Sequence, residues 1–265
     1  MAREGLIIGY PGSRRPMRLK ESTFVRPDPE GGLGARLTVA SMTVAAVMIP
    51  FMLLLVLARM PLNHLDASVA RELHAYALAN PDVTRVLIVW TDLFGPWPWR
   101  VAVIGLAIWL WREGSRGLAL WAVTTLTVGG LLNVVLKIIV ARARPSLPDP
   151  VALAPGDSFP SGHAMSVTVG AGVVVLILLP RLRFWGRLTA WALAWFLVVS
   201  VAYTRVALAV HWVSDVIAGI ILGVAVVAAT VVAFETWRRQ QGRRPVAPHV
   251  DGVEPESVEV PYDRG

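Results

Sequence analysis

Six long apolar runs constrain the fold of this chain more than any other feature. They lie near residues 37–58, 97–111, 117–139, 163–180, 188–204 and 213–235. A helix needs about 20 apolar residues to cross the hydrocarbon layer of a membrane. Because 55% of the 265 residues are hydrophobic and only 16% are charged, a soluble domain of this length could not bury its apolar surface. We therefore predict an all-α integral membrane bundle of six transmembrane helices, formed by residues 37–236.

The segments outside these runs differ from them in composition. Residues 1–36 are rich in Arg, Gly and Pro and lack an apolar run, which predicts a disordered basic tail. Residues 237–265 begin with a basic cluster and end acidic, which predicts a second tail. Between the first two runs, residues 61–92 carry apolar side chains every three or four positions. That spacing predicts an amphipathic helix in the membrane interface.

The distribution of Lys and Arg predicts the orientation in the membrane. Arginines in the connections of one side are Arg36, Arg112, Arg116, Arg181, Arg183, Arg187, Arg238, Arg239, Arg243 and Arg244. On the other side Arg59, Arg71, Arg85 and Arg100 are offset by Asp66, Glu72, Asp82 and Asp92. Both termini are therefore predicted to be cytoplasmic, in a multi-pass protein of the plasma membrane.

Cysteine content and net charge exclude several functions. The chain has no cysteine, so it contains no disulfide, thiolate metal site or cysteine nucleophile. Its formal net charge of +7 could indicate nucleic-acid binding in a soluble protein. Here the basic residues lie in tails and short connections, which is typical of membrane topology, and we predict no nucleic-acid partner.

Polar residues cluster in the two connections that this topology places outside. Placing polar side chains near membrane spans costs free energy, which makes such residues functional candidates. The connection after the third run contributes Lys137, Arg142, Arg144, Ser161, Gly162 and His163, and the connection after the fifth contributes Arg205, His211 and Asp215. Both connections thus bring basic groups and a histidine to one membrane face.

These residue types suit phosphoryl transfer. Lysine and arginine can clamp a tetrahedral oxyanion, and the Ser161-Gly162 pair ahead of a helix offers a hydroxyl and backbone N–H groups to an anion. His211 and Asp215 are four residues apart, which predicts that they share a helical face. An aspartate bonded to one imidazole nitrogen leaves the other nitrogen free to attack phosphorus. A second histidine, His163, can protonate the leaving oxygen.

Three motifs resemble the signature of a known family. In the first motif, six residues separate Lys137 from Arg144-Pro145. The second motif is Pro160-Ser161-Gly162-His163. In the third, five residues separate Arg205 from His211, and three more separate His211 from Asp215. This order resembles the type 2 phosphatidic-acid phosphatase superfamily, which includes vanadium haloperoxidases and glucose-6-phosphatases. Thr204 departs from the pattern, because the family usually has serine before this arginine.

The resemblance implies a helical bundle with its active site near the outer membrane surface. It implies that Lys137, Arg144 and Arg205, assisted by Ser161 and Gly162, bind phosphate oxygens. By the same resemblance His211 attacks phosphorus, Asp215 orients His211, and His163 is the general acid. It implies neither a metal nor another cofactor, because the three cations supply the charge that stabilises the transition state.

Several alternatives remain open at this point. The substrate could be a polyprenyl diphosphate, phosphatidylglycerol phosphate or phosphatidic acid, and we favour the first weakly, by analogy. The phosphoryl group could pass to an alcohol, as in a phosphotransferase, instead of water. A lipid or anion transporter is less favoured because such proteins place charge near the bilayer midplane. Arg142 could contact phosphate or lipid headgroups, while His64 and His74 are expected to be surface groups.

Overall fold

The computed structural model of the protein describes residues 63–243 and 246–255. Within this part the helices are α1 (Asn63–Ala79), α2 (Pro81–Leu93), α3 (Pro96–Arg112), α4 (Arg116–Val140), α5 (Gly162–Leu178), α6 (Phe184–Ala207), α7 (Val213–Gln240) and α8 (Pro248–Asp251), with a 3₁₀ turn at Leu179–Arg181. The all-α prediction is confirmed for these residues. The predicted tail 1–36 and the apolar run 37–58 lie outside them.

Among the described residues, five helical stretches are long and apolar enough to cross a membrane. They are Pro81–Arg112, Arg116–Val140, Gly162–Arg181, Phe184–Ala207 and Val213–Gln240. Their outer faces expose large apolar side chains such as Val101, Leu131, Ile138, Phe196 and Val199, as expected for surfaces solvated by lipid. The chain is therefore a multi-pass membrane protein. The sixth span and the location of the termini remain predictions.

Helix α5 lies at the centre of the bundle and contacts α3, α4, α6 and α7. It is the most buried of the five stretches. Its residues are apolar or small around the whole circumference, the pattern of a helix without a solvent face. This central position matters for the site because Ser161 and His163 lie at the start of α5.

Small residues allow the helices to approach α5 closely. A Cβ atom on Gly219 of α7 would lie 2.7 Å from the Ser161 carbonyl oxygen, and one on Gly223 would lie 2.7 Å from Thr168 Cβ. On the other side, a Cβ on Gly170 would lie 2.3 Å from the indole of Trp99 in α3. Glycines spaced by four on α7 thus bring its backbone against α5, as small residues do in membrane helix pairs.

Residues 61–92 differ from the single amphipathic helix expected. The described part contains two helices, α1 and α2, separated at Asn80. Pro81 is the first residue of α2 and has no N–H to continue the hydrogen-bond ladder of α1. Helix α1 packs on α6 and α7, whereas α2 leads into α3. The other five apolar runs coincide with α3 to α7, and their predicted ends differ from the helix ends by five residues at most.

The segment after α7 packs against the bundle at the end where α5 finishes. Val253 is 2% exposed, and its N–H donates to the Leu176 carbonyl oxygen at 3.2 Å. The Val246 N–H donates to Glu235 Oε1 at 3.3 Å. Helix α7 also continues to Gln240, beyond the predicted domain end at 236. The described residues of the predicted tail therefore contact the bundle, and the domain boundary itself remains a prediction.

Candidate active site

The eight site residues predicted from the sequence lie at one end of the bundle. Helices α4 and α6 finish at this end, and α5 and α7 begin there. Their positions are Lys137 in the last turn of α4, Arg144 in the connection to α5, Ser161 as N-cap with Gly162 and His163 in the first turn of α5, Arg205 in the last turn of α6, His211 just before α7, and Asp215 in its first turn. Residues up to 78 positions apart thus converge because of the antiparallel helix order.

His211 and Asp215 form a buried pair, but not through a shared helical face. Helix α7 begins at Val213, so His211 precedes it. Asp215 Oδ2 accepts a hydrogen bond from the Trp212 N–H at 2.9 Å and lies 3.4 Å from His211 Nδ1. The two side chains meet because Asp215 turns back over the helix start, as in a capping box. The predicted contact is confirmed, and the predicted geometric reason is wrong.

The other imidazole nitrogen of His211 points to Arg144. Arg144 Nη1 donates to His211 Nε2 at 3.1 Å, which assigns the lone pair to Nε2 and the proton to Nδ1, towards Asp215. Burial lowers the pKa of His211 to about 4, an effect that Arg144 reinforces and that the hydrogen bond to Asp215 opposes. At neutral pH the ring is therefore neutral, with its Nε2 lone pair on the side of the arginine.

Arg144 belongs to a cluster of three cationic side chains with Lys137 and Arg205. Lys137 interacts electrostatically with Arg144, Asp215 and Arg205, and its Nζ donates to the Asp157 carbonyl oxygen. Arg144 also donates to the carbonyl oxygens of Pro155, Gly156, Asp157 and Val210, at 2.6 to 3.2 Å. Burial lowers the pKa of Arg144, and the charges of Asp215 and Asp157 oppose that change. An arginine remains protonated under such a shift, so the positive cluster persists at neutral pH.

Two buried polar atoms at the site have no hydrogen-bond partner among the described residues. They are Ser161 Oγ and Arg205 Nε, and both residues are at most 6% exposed. Although Ser161 is the N-cap of α5, its side chain makes no capping bond. A buried polar group without a partner costs about 1–3 kcal/mol, which an oxyanion at the start of α5 would relieve.

His163 faces the turn between α2 and α3. A Cβ atom on Gly95 would lie 3.2 Å from His163 Nε2 and 3.0 Å from the Thr91 carbonyl oxygen. Thr91 Oγ1 accepts a hydrogen bond from Arg205 Nη1 at 3.2 Å. His163 also interacts electrostatically with Arg205, His211, Arg144 and Lys137. The sequence reasoning missed Thr91 and Gly95, although a glycine beside three interfacial aromatic residues could have suggested a close approach.

From the sequence, Arg142 is expected to contact either phosphate or lipid headgroups. In the structure, Arg142 contacts protein carboxylates. Its Nη1 donates to Asp215 Oδ1 at 2.7 Å, and its Nη2 donates to Asp66 Oδ2 at 2.9 Å.

His74, expected on the surface, is 6% exposed, and its Nε2 lies 2.7 Å from the Pro148 carbonyl oxygen. That expectation is therefore wrong for His74, which packs under the connection before α5, and it is confirmed for His64, which is exposed.

Comparison with a family model supports the resemblance read from the motifs. Residues 118–239 match the model of the PAP2 superfamily, and this range includes all eight predicted site residues. The match confirms the resemblance to that superfamily.

Two curated proteins are similar to part of the chain. An undecaprenyl-diphosphatase of Sulfolobus acidocaldarius is 41% identical over 98 residues, and a phosphatidylglycerophosphatase B of Bacillus subtilis is 37% identical over 95 residues. Each alignment covers 35% of this chain, and the chain spans 44% and 46% of the two relatives.

One solved structure shares the fold. It is the crystal structure of a transmembrane PAP2 type phosphatidylglycerolphosphate phosphatase from Bacillus subtilis, with a TM-score of 0.64 and 22% identity. The likeness covers 76% of this chain and 98% of that one. The described helices are therefore arranged as in that transmembrane protein.

Proposed function

We propose that this chain, with its PAP2 superfamily segment, is a membrane phosphatase that hydrolyses a lipid phosphate or diphosphate through a phosphohistidine intermediate. The observation that carries the proposal is the orientation of His211. Its Nδ1 faces the Asp215 carboxylate, and its Nε2 accepts from Arg144, which forms a cationic cluster with Lys137 and Arg205. A neutral imidazole held in one tautomer beside phosphate-binding cations is poised for nucleophilic attack.

The first half of the reaction forms the intermediate. Lys137, Arg144 and Arg205 bind the phosphate oxygens, together with Ser161 Oγ and the N–H groups at Gly162. The Nε2 lone pair of His211 attacks phosphorus while the bond from phosphorus to the lipid oxygen breaks. His163 donates a proton to that leaving oxygen, and Asp215 stabilises the positive charge that develops on the His211 ring.

The second half returns the enzyme to its starting state. A water molecule attacks the phosphorus, and His163 accepts one of its protons. The bond between phosphorus and Nε2 breaks, which restores the His211 lone pair and releases inorganic phosphate. The scheme assigns no role to a metal or other cofactor. Among residues 63–243 and 246–255, no cluster of three or more His, Asp or Glu side chains could hold a metal ion.

The two curated relatives suggest the substrate class. Their names specify undecaprenyl diphosphate and phosphatidylglycerophosphate, and both compounds combine a phosphate group with long hydrocarbon chains. A site at one end of a membrane bundle suits such a substrate, because its chains can stay in lipid while the phosphate reaches the cations. We propose a polyprenyl diphosphate first, followed by phosphatidylglycerol phosphate and phosphatidic acid.

The decisive assay compares wild type, His211→Ala and His64→Ala in detergent with EDTA present. Phosphate release from each of the three lipids is measured. We expect release by wild type and by His64→Ala, whose substituted residue is exposed, and none by His211→Ala. An acid-labile phosphorylated protein should appear only in the two active proteins. Full activity of His211→Ala would contradict the assignment of the nucleophile.

A phosphotransferase that uses the same intermediate is the alternative, because the site does not distinguish water from an alcohol acceptor. Adding a lipid alcohol to the assay separates the two functions. A phosphotransferase forms a phosphorylated alcohol at the expense of free phosphate. A hydrolase releases the same phosphate with or without the alcohol.

The membrane orientation is part of the proposal. Arg112, Arg116, Arg181 and Arg183 lie at the helix ends opposite the site, which supports an outward-facing site by the positive-inside trend. Because the chain lacks cysteine, single-cysteine variants give a clean test. An impermeant maleimide should label Leu153→Cys in intact cells, whereas Glu113→Cys should react only after lysis. The reverse pattern would place the site inside.

A further inference from the structure

Arg142 is held between two buried carboxylates at the site. Its Nη1 donates to Asp215 Oδ1 at 2.7 Å, and its Nη2 donates to Asp66 Oδ2 at 2.9 Å. The side chains of Asp66 and Asp215 are 4% and 0% exposed, and that of Arg142 is 15% exposed. Asp66 belongs to α1, outside the matched range 118–239. A helix from another part of the chain therefore contributes a buried charge to the site.

Asp66 also holds the start of α7. Its Oδ1 accepts the Ser214 N–H at 3.1 Å, and its Oδ2 accepts the Ser214 hydroxyl at 2.5 Å. The first N–H groups of a helix have no partner within the helix, and they carry its partial positive charge. A carboxylate from α1 therefore fixes the residue next to Asp215. A displacement of Asp66 would shift the helix start that positions the carboxylate behind His211.

The charge balance gives Asp66 a second effect on His211. Two carboxylates and one guanidinium leave a net charge of −1 in this group. Asp215 uses Oδ1 for Arg142 and Oδ2 for the Trp212 N–H and His211. Without the charge of Asp66, Arg142 would be balanced by Asp215 alone. The carboxylate would then stabilise less well the positive charge that develops on the imidazole during attack.

We propose that Asp66 is a positioning residue, which acts through Arg142 and Ser214 on the His211–Asp215 pair. The inference rests on the proposed function, because its effect is read in the rate of phosphoryl transfer. Asp66 does not contact the cations Lys137, Arg144 and Arg205 in the hydrogen bonds described. Its removal should therefore slow the chemical step and leave substrate binding nearly unchanged.

The test uses purified full-length protein and the lipid that wild type hydrolyses fastest. We expect Asp66→Asn to lower kcat by about 10- to 100-fold with KM within about twofold, since small displacements of catalytic groups cost that much. Asp82→Asn is the matched control, because Asp82 also pairs with an arginine, Arg85, at 2.7 Å but in an exposed position. It should keep wild-type kcat.

A double-mutant cycle distinguishes positioning from a general loss of folded protein. If Asp66 acts through Arg142, Asp66→Asn should lower kcat much less in an Arg142→Gln background than in wild type. A general folding defect would instead multiply the two losses. Multiplicative losses would therefore overturn the proposal, as would wild-type kcat in Asp66→Asn.

A second variant covers the case in which Asp66→Asn does not fold. Arg142→Lys keeps the charge but cannot bridge two carboxylates with a planar fork, so we expect about a tenfold lower kcat and a similar melting temperature. Unchanged kcat in this variant would overturn the proposal. A wild type that releases no phosphate from any lipid would overturn the proposed function and this inference together, whereas active wild type with active variants would overturn the inference alone.

Discussion

The two ends of the bundle both bury charged side chains, but they use them differently. At the end that starts α5 and α7, Arg144 contacts His211 and forms a cationic cluster with Lys137 and Arg205, and two polar atoms there lack a partner among the described residues. At the opposite end, Glu235 Oε2 accepts from Arg238 at 2.7 Å, and its Oε1 accepts from Arg239 and from the Val246 backbone.

The difference lies in what the charges are paired with. The carboxylate of Glu235 is surrounded by donors of the chain itself, and one of them joins residues 246–255 to α7. At the site, by contrast, Ser161 Oγ and Arg205 Nε have no hydrogen-bond partner among the described residues. Burial of charge alone therefore does not identify a functional site. Buried cations beside donors that have no partner do indicate such a site, because these groups can bind a ligand of opposite charge.

The largest expected effect is the loss of activity in His211→Ala. Removing the proposed nucleophile should lower kcat by about 10⁴-fold or more, as in enzymes that form a covalent intermediate. The melting temperature should change little, since Asp215 keeps its bonds to Arg142 and the Trp212 N–H. The measurement combines phosphate release with thermal unfolding in detergent. Equal losses of activity and stability would remove the contrast between the two ends.

A smaller loss is expected from Gly95→Ala. The added Cβ would lie 3.2 Å from Nε2 of His163, the proposed general acid, so this side chain must move by a few tenths of an ångström. We expect a 10- to 100-fold lower kcat, because the proton must reach the leaving oxygen in the transition state. Gly105→Ala is the matched control in α3, where a Cβ would meet nothing within 4 Å. Equal activity of both variants would contradict the proximity of Gly95 to the reaction.

The pH dependence should be weaker still over the physiological range. Burial lowers the pKa of His211 from 6.5 to about 4, so the nucleophilic form persists as the pH falls. The acid limb of kcat/KM should therefore lie near pH 4, with less than about a twofold change between pH 7 and 5.5 attributable to this residue. If the acid limb of kcat/KM lies near pH 6.5 and persists in every other variant, the His211 imidazole is solvated.

The same shift affects stability with a defined sign. Since the folded-state pKa lies below the unfolded value, the unfolded chain binds a proton first as the pH falls below 6.5. The contribution of His211 to the free energy of unfolding is present above pH 6.5 and is lost as the pH falls towards 4. Thermal unfolding of wild type and His211→Ala across this range measures the contribution by difference.

The smallest effect on catalysis is expected at the opposite end. Glu235→Gln removes the buried carboxylate that accepts a hydrogen bond from Arg238, which is 1% exposed. Breaking such a pair costs about 3–5 kcal/mol of unfolding free energy, so the melting temperature should fall clearly. The kcat of the folded fraction should stay at the wild-type value. Glu113→Gln, at an exposed position, is the control. A kcat loss specific to Glu235→Gln would indicate that the two ends of the bundle are energetically coupled.

The sequence predicted the site better than it predicted the surroundings of the site. Lys137, Arg144, His163, His211 and Asp215 stand at fixed spacings around helix ends, and such local order is visible in one dimension. Five of the helices follow from runs of apolar residues for the same reason. The roles of these residues remain proposals, although their convergence is observed.

The partners supplied by α1 and by the turn between α2 and α3 could not be predicted in this way. Asp66 contacts Ser214 across 148 positions, and Arg205 contacts Thr91 across 114. The spacing of residues along one helix does not predict such contacts, because they depend on how whole helices pack against each other. His74 was misplaced for the same reason, since its burial comes from the connection that crosses over it at Pro148.

The hydrogen bonds of Arg144 have a consequence for turnover. Its N–H groups donate to four carbonyl oxygens and to His211 Nε2. Phosphate must therefore compete with the connection between α4 and α5 for this guanidinium. In the proposed reaction, that competition weakens the binding of free phosphate, which has no lipid chain to add to its affinity. We thus expect little product inhibition, because the carbonyl oxygens reclaim the arginine when phosphate departs.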